Sequence, residues 1–245
     1  MNDDLDQLLK SLKLRRIPEV LDRELKRAEK ESPSYSEFLA RLLREEYLEQ
    51  QRRNTDARMR RARMPESWSL DTFPWKRQPG VDKKQIRQLA DLEFVRTGTN
   101  LVFIGEAGVG KTGLAIALLR AAVQSGYWGY FVKAQDLFDE MYASLADRST
   151  RRFLKALTSY DVVCCDELGY LNLRPEQTNI FFKLMDDRYA ARKATVITTN
   201  LAYDDWASFL CNKHLTEALL SRLRHRCQTI HIAGPSLRAP DADNP

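Results

Sequence analysis

Gly105-Glu106-Ala107-Gly108-Val109-Gly110-Lys111-Thr112 is the stretch that decides the fold. It fits the phosphate-loop pattern G-x-x-x-x-G-K-[ST], in which glycines let consecutive backbone N–H groups curl around phosphate oxygens. In that pattern Lys111 reaches the β- and γ-phosphates and the Thr112 hydroxyl holds Mg2+. ATP with Mg2+ is the expected ligand, and Gly105, Glu106, Ala107, Gly108, Val109, Gly110, Lys111, Thr112 and Gly113 are its expected contacts. The flanks agree. Asn100 to Ile104 is an apolar run suited to a buried parallel strand. Leu114, Ala115, Ala117, Leu118 and Leu119 continue at helical spacing. A strand, a glycine-rich turn and a helix set the phosphates on a helix N-terminus.

Downstream, Tyr160 to Cys165 reads as a strand running into Asp166-Glu167. An acid at the carboxyl end of a buried strand is where a second Mg2+ contact is expected, so Asp166 takes that role. Phosphate-loop kinases and GTPases do not usually carry Glu directly after that Asp, whereas ATPases that polarise a water with a carboxylate do. Glu167 is therefore the expected general base. Ala194 to Thr199 is another β-branched strand, ending at Asn200. The Asn200 amide could orient the attacking water; alternatively it starts the turn into Leu201.

Periodicity extends the pattern in both directions. Residues 1–64 read as all helix, with apolar stripes at Leu5, Leu8, Leu9 and Leu12, then Ile17, Val20, Leu21 and Leu25. Ser34 and Glu37 have capping-box spacing. Residues 65–81 hold prolines with Trp68, Phe73 and Trp75 and read as a linker whose rings pack on the core or beside an adenine. Asp82 is expected to cap a helix carrying Ile86, Leu89, Leu92 and Val95. Five strands alternating with helices imply an α/β fold, a parallel sheet covered by helices on both faces. The expected division is a helical DNA-binding or assembly domain over 1–64, the linker 65–81, an ATPase domain over 82–240 and a tail over 241–245.

The chain of 245 residues is 43% hydrophobic and 30% charged, the composition of a globular protein. No apolar stretch approaches a membrane span, so no membrane partner is expected. Met1-Asn2-Asp3-Asp4 is acidic and lacks a signal-peptide pattern, which makes the cytoplasm the expected location. Cys164 and Cys165, adjacent in a core strand, should point to opposite faces. Cys211, Cys227 and the three histidines show no ligand spacing, so no zinc is expected.

The net charge is +5 and the pI about 9.0. Its distribution says more than its total. Arg52, Arg53, Arg58, Arg60, Arg61 and Arg63 face Asp56 alone between residues 52 and 63. Arginine suits bidentate phosphate contacts, and duplex DNA is the expected partner of this stretch. The alternative is a solvated helix face.

Residues 70–238 resemble AAA+ ATPases of the DnaC/IstB type, and more closely the IstB-like transposition helper proteins. The resemblance rests on Gly105 to Thr112, Asp166-Glu167-Leu168-Gly169-Tyr170, Arg188-Tyr189, Thr198-Thr199-Asn200, Trp206, Ser221-Arg222-Leu223 and Gly234-Pro235-Ser236-Leu237-Arg238. The chain departs from the usual family pattern at Gly113, where His is common, and at Thr199, Ser221 and Leu237. The resemblance implies a P-loop AAA+ sheet, a homo-oligomer, and Arg222 as an arginine finger acting on ATP held by a neighbouring subunit. Arg238 is a further candidate phosphate contact. It also implies an ATP-dependent DNA-binding helper of an insertion-sequence transposase that selects or remodels target DNA. The alternative is a replicative helicase loader. A metabolic P-loop kinase is disfavoured by Glu167.

Overall fold

The computed structural model describes residues 3–238; the expected tail 241–245 lies outside the described residues. The chain divides into two compact units, one ending at Ala57 and one beginning at Arg58. The division falls inside a long helix, upstream of the residue-64 stop read from the sequence.

The first unit holds α1 (Asp3–Ser11), α2 (Arg16–Glu31) and most of α3 (Tyr35–Arg61). Leu9, Ile17, Val20, Leu21 and Leu42 are buried together. The α2 N-terminus has no side-chain cap of its own. Glu46 from α3 replaces it, accepting from Arg16 N at 2.6 Å and Ile17 N at 3.1 Å, with Arg53 beside it at 3.0 Å. The Ser34–Glu37 box forms as expected, with Ser34 N donating to Glu37 Oε2 at 2.8 Å.

The second unit is built on a five-stranded parallel sheet. Its elements are α4 (Lys83–Leu89), α5 (Glu93–Thr97), β1 (Asn100–Gly105), α6 (Lys111–Gln124), β2 (Gly129–Lys133), α7 (Ala134–Ala146) and α8 (Thr150–Ser159). β3 (Val162–Leu168), α9 (Pro175–Ala190), β4 (Ala194–Thr199), α10 (Trp206–Phe209), α11 (Lys213–His225) and β5 (Cys227–Ile232) complete it. The strand order is β2-β3-β4-β1-β5. The helix read from Asp82 onward is two helices, because Leu92 adopts a left-handed φ of 61° between them.

Alternation along the strands sorts the core into two layers. Leu101, Phe103, Cys164 and Val196 pack with α6, Ile86 and Phe94 on one face. Val102, Cys165 and Ile197 pack with Phe138, Phe181 and Trp206 on the other. The adjacent cysteines thus face opposite layers. Residues 65–81 are part of the folded unit. Phe73 is buried and meets Trp75 edge-on at 4.8 Å, and Trp68 packs on the same layer. Arg188 on α9 is fully buried and staples the start of β3 to β4, donating to Leu157 O at 2.7 Å, Tyr160 O at 3.1 Å and Thr195 Oγ1 at 3.0 Å.

β1 lies between β4 and β5, yet the chain leaves it for β2 at the far edge. That change of direction opens a crevice at the carboxyl ends of the strands, where open α/β sheets take ligands.

Candidate nucleotide site

The loop from Gly105 to Gly110 occupies that crevice. Gly108 and Gly110 have φ of 85° and 97°, a region open to glycine and strained for other residues. A Cβ on Gly108 would lie 2.0 Å from Ser236 Oγ. The close approach lets Leu237 N donate to Gly108 O at 2.8 Å. Gln78 is buried and donates to Val109 O at 3.0 Å and Pro235 O at 3.1 Å. The loop is therefore braced from outside by two distant segments. α6 starts at Lys111 with Gly110 as its N-cap and no side-chain cap. Its first N–H groups have no side-chain acceptor, which is the chemistry of an anion site.

Lys111 Nζ donates to Gly105 O at 2.7 Å and Glu106 O at 2.8 Å, so the ammonium sits over the loop. Burial pulls its pKa down, and the Asp166 and Glu106 carboxylates act the other way. Thr112 Oγ1 donates to Asp166 Oδ1 at 2.8 Å. Thr198 Oγ1 donates to the same oxygen at 2.5 Å. Burial raises the Asp166 pKa, opposed by these two hydroxyl bonds. A hydroxyl and a carboxylate converging beside a phosphate loop are hard oxygen donors of the kind Mg2+ takes, with phosphate and water completing the shell.

Glu167 has a left-handed φ of 60° at a register break between β3 and β4. A non-glycine residue held there costs on the order of 1–3 kcal/mol and marks sites where geometry serves function. Its backbone N–H is fixed by donation to Thr198 Oγ1 at 2.9 Å. Its carboxylate lies 3.5 Å from Lys133 Nζ.

These groups line one cavity of about 700 Å3. Lys111, Thr112, Asp166, Glu167 and Thr198 form its polar side, and Trp68, Phe73, Pro74 and Leu237 its apolar side, with Arg238 at the rim. A Cβ on Gly113 would come within 3.3 Å of the Trp68 ring, so a glycine there leaves room for the indole. Val109 is buried in the core and Gly105 packs against Ile232, so these two shape the loop through their backbones.

The IstB-like ATP binding protein family matches residues 7–243. The chain belongs to that family. Its fold is the P-loop AAA+ sheet with a helical region in front. The ATP-binding protein of insertion sequence IS21 from Pseudomonas aeruginosa is 34% identical over 96% of this chain and 88% of its own length. The ATP-binding protein of insertion sequence IS5376 from Geobacillus stearothermophilus is 33% identical over 84% of this chain and 81% of its own. Among solved structures, the DnaC helicase loader is 28% identical with a TM-score of 0.58, covering 67% of this chain and 96% of that one.

Other expected residues of this IstB-like chain sit elsewhere. Asn200 is exposed past the end of β4 and does not line the cavity; Thr198 is the β4 residue that reaches Asp166 and Glu167. Arg222 on α11 pairs with Asp186 at 3.0 Å and lies 5.3 Å over the Phe182 ring, and it is not among the residues lining this chain's own cavity. The arginine run is divided. Arg53 is engaged by Glu46, and Arg52 reaches Glu49 at 3.7 Å. Arg61 lies 5.2 Å over Trp128, and Arg63 lies over Tyr130 and donates to its hydroxyl at 3.2 Å. Between them Ala62 O accepts from Phe131 N at 2.8 Å, extending the sheet edge at β2. Arg58 is half-buried and Arg60 exposed. Lys133 and the aromatic partners of Arg61 and Arg63 carried no sequence motif; Thr198 stood in the resembling Thr198-Thr199-Asn200 stretch, but no role was read for it.

Among the described residues, no helix is long and apolar enough to cross a membrane, and no cluster of three His, Cys, Asp or Glu residues is poised to hold a metal.

Proposed function

We propose that this chain is an ATPase that assembles on duplex DNA and serves an insertion-sequence transposase in the cytoplasm, selecting or remodelling its target DNA. The observation that carries the catalytic half is the Thr112–Asp166–Thr198 bond line with Glu167 fixed beside it. Lys111 and the α6 N-terminus hold the β- and γ-phosphates. Thr112 and Asp166 hold Mg2+, which when bound neutralises charge on the phosphates. Glu167 accepts the proton of the attacking water, and Thr198 keeps that residue in its left-handed conformation. Arg222, which does not line its own cavity, supplies positive charge to ATP in a neighbouring copy.

The DNA half rests on the arginine run and on relatives that are ATP-binding proteins of insertion sequences. A helicase loader is the second reading, favoured by the likeness to DnaC. That likeness spans 67% of the chain, whereas the IS21 relative matches 96%. The test is phosphate release by the purified chain, with and without duplex DNA. ATP turnover raised by DNA, and lowered by a factor on the order of 10² in Glu167→Gln with ATP binding kept, is the expected result. Equal turnover in the variant rejects Glu167 as the base. Stimulation by a replicative helicase and indifference to DNA would move the chain to the second reading.

A further inference from the structure

The short helix α4 presents Lys83, Lys84 and Arg87 on the surface, with Lys76 exposed just upstream. Its buried side fixes it: Ile86 is fully buried and Leu89 nearly so. Lys83 lies 5.3 Å over the Trp75 ring, and the Trp75 indole N–H is itself tied to Leu70 O at 2.8 Å. The one acid in the turn, Asp82, spends a carboxylate oxygen on Lys84 N and Gln85 N at 2.8 and 3.1 Å. Among the described residues, no carboxylate pairs with Lys76, Lys84 or Arg87. Lys83 and Arg87 are four apart and Lys84 and Arg87 three apart, so like charges face each other on the helix surface, which destabilises the helix. The helix bears that repulsion with the capping Asp82 as the acid at its N-terminus and none inside its first turn.

We propose that this basic face is a second contact for the phosphate backbone of duplex DNA, carried by the ATPase unit itself. The inference rests on the DNA reading above and adds a surface to it. α4 lines an open groove of about 560 Å3 made by Lys83, Lys84, Arg87, Gln88 and Asp91. No apolar or aromatic side chain lines it. A protein partner would want such anchors at the centre of its interface. A phosphate backbone is met by exposed Lys and Arg side chains in a polar groove. Three cations share this one open groove, which fits a polyanion better than a single small anion.

The experiment is fluorescence anisotropy of a labelled duplex titrated with the full chain at several salt concentrations. The parent is compared with a Lys84→Ala/Arg87→Ala variant. Loss of two phosphate contacts reduces the slope of log affinity against log salt by about two and weakens low-salt binding roughly tenfold. Both residues are exposed and outside the nucleotide cavity, so binding of a fluorescent ATP analogue should match the parent and the thermal midpoint should equal or slightly exceed it, since two like-charge contacts are relieved. A parent that binds duplex while the variant keeps its affinity and slope overturns this face and leaves the DNA reading standing. A parent that binds no duplex at any salt overturns both. Unchanged DNA binding with lost binding of poly-glutamate reassigns the face to an acidic protein and also overturns the proposal.

Discussion

The Lys133 ammonium at the end of β2 lies 3.5 Å from the Glu167 carboxylate at the end of β3. Lys133 is the register partner of Asp166, so the ladder places it beside the acidic pair. A cation there competes with an attacking water for one oxygen of the proposed base. Both side chains are about half exposed, so the pair is worth up to about 1 kcal/mol. Releasing Glu167 should therefore speed turnover by a factor of about two to five. Lys133→Met is expected to raise basal ATP hydrolysis by that factor in a phosphate-release assay without DNA. A fall in turnover with a raised KM would instead mean that Lys133 contacts the nucleotide.

Thr198 joins both acids through one hydroxyl, donating to Asp166 and accepting from the Glu167 backbone. Thr198→Val keeps the shape and removes both bonds. A fully buried N–H left without an acceptor costs about 1–3 kcal/mol; the Glu167 N–H is half-buried, which sets its cost at the lower end of that range, and the left-handed Glu167 also loses its brace. Urea unfolding should show a stability loss in that range, and turnover should fall at least tenfold while Thr198→Ser stays near the parent. Parent-like turnover in the Val variant would show that Glu167 holds its conformation without the hydroxyl.

How much of this was legible in the sequence follows from how local each feature is. The loop Gly105 to Thr112 is one contiguous pattern, so its strand, turn and helix were readable before any tertiary contact. Asp166 and Glu167 were readable because an acidic pair ends an apolar run. The role of Thr198 was not, although the residue stood in a resembling stretch, because that role depends on β4 lying beside β3 across a register break. Lys133 was hidden for the same reason, on the other side of β3. Asn200 read either as a polar strand tip that orients water or as the start of the turn into Leu201, and in the structure the chain has already left the strand there. The break between α4 and α5 carries neither glycine nor proline; it rests on Leu92 turning left-handed so that its side chain stays in the core.

Arg222 bears on assembly. It is held by Asp186 and Phe182 and does not line its own cavity. If it serves a neighbouring copy, Arg222→Ala and Glu167→Gln each remove turnover, but a mixture contains interfaces with both groups intact. Mixed subunits should regain a measurable fraction of parent activity, and specific activity of the parent should rise with protein concentration. A co-assembled mixture that regains nothing would assign Arg222 to the α9–α11 contact alone.

The arginine run makes two different predictions, because its members do different things. Arg61 and Arg63 are laid over Trp128 and Tyr130 and flank the Ala62–Phe131 backbone bond. Such cation–π contacts are worth about 0.5–1 kcal/mol each at exposed sites. Arg61→Ala/Arg63→Ala should therefore lower stability by about 1–2 kcal/mol in urea unfolding and leave the salt slope of duplex binding close to that of the parent. Arg52 has only a long, exposed contact with Glu49, and Arg60 has no carboxylate partner among the described residues. Arg52→Ala/Arg60→Ala should keep stability and reduce the salt slope by about two, with weaker binding to every sequence tested. The two double variants thus separate an arm that anchors to the sheet edge from one that grips phosphate. A slope that drops for Arg61 and Arg63 and holds for Arg52 and Arg60 would reverse that division.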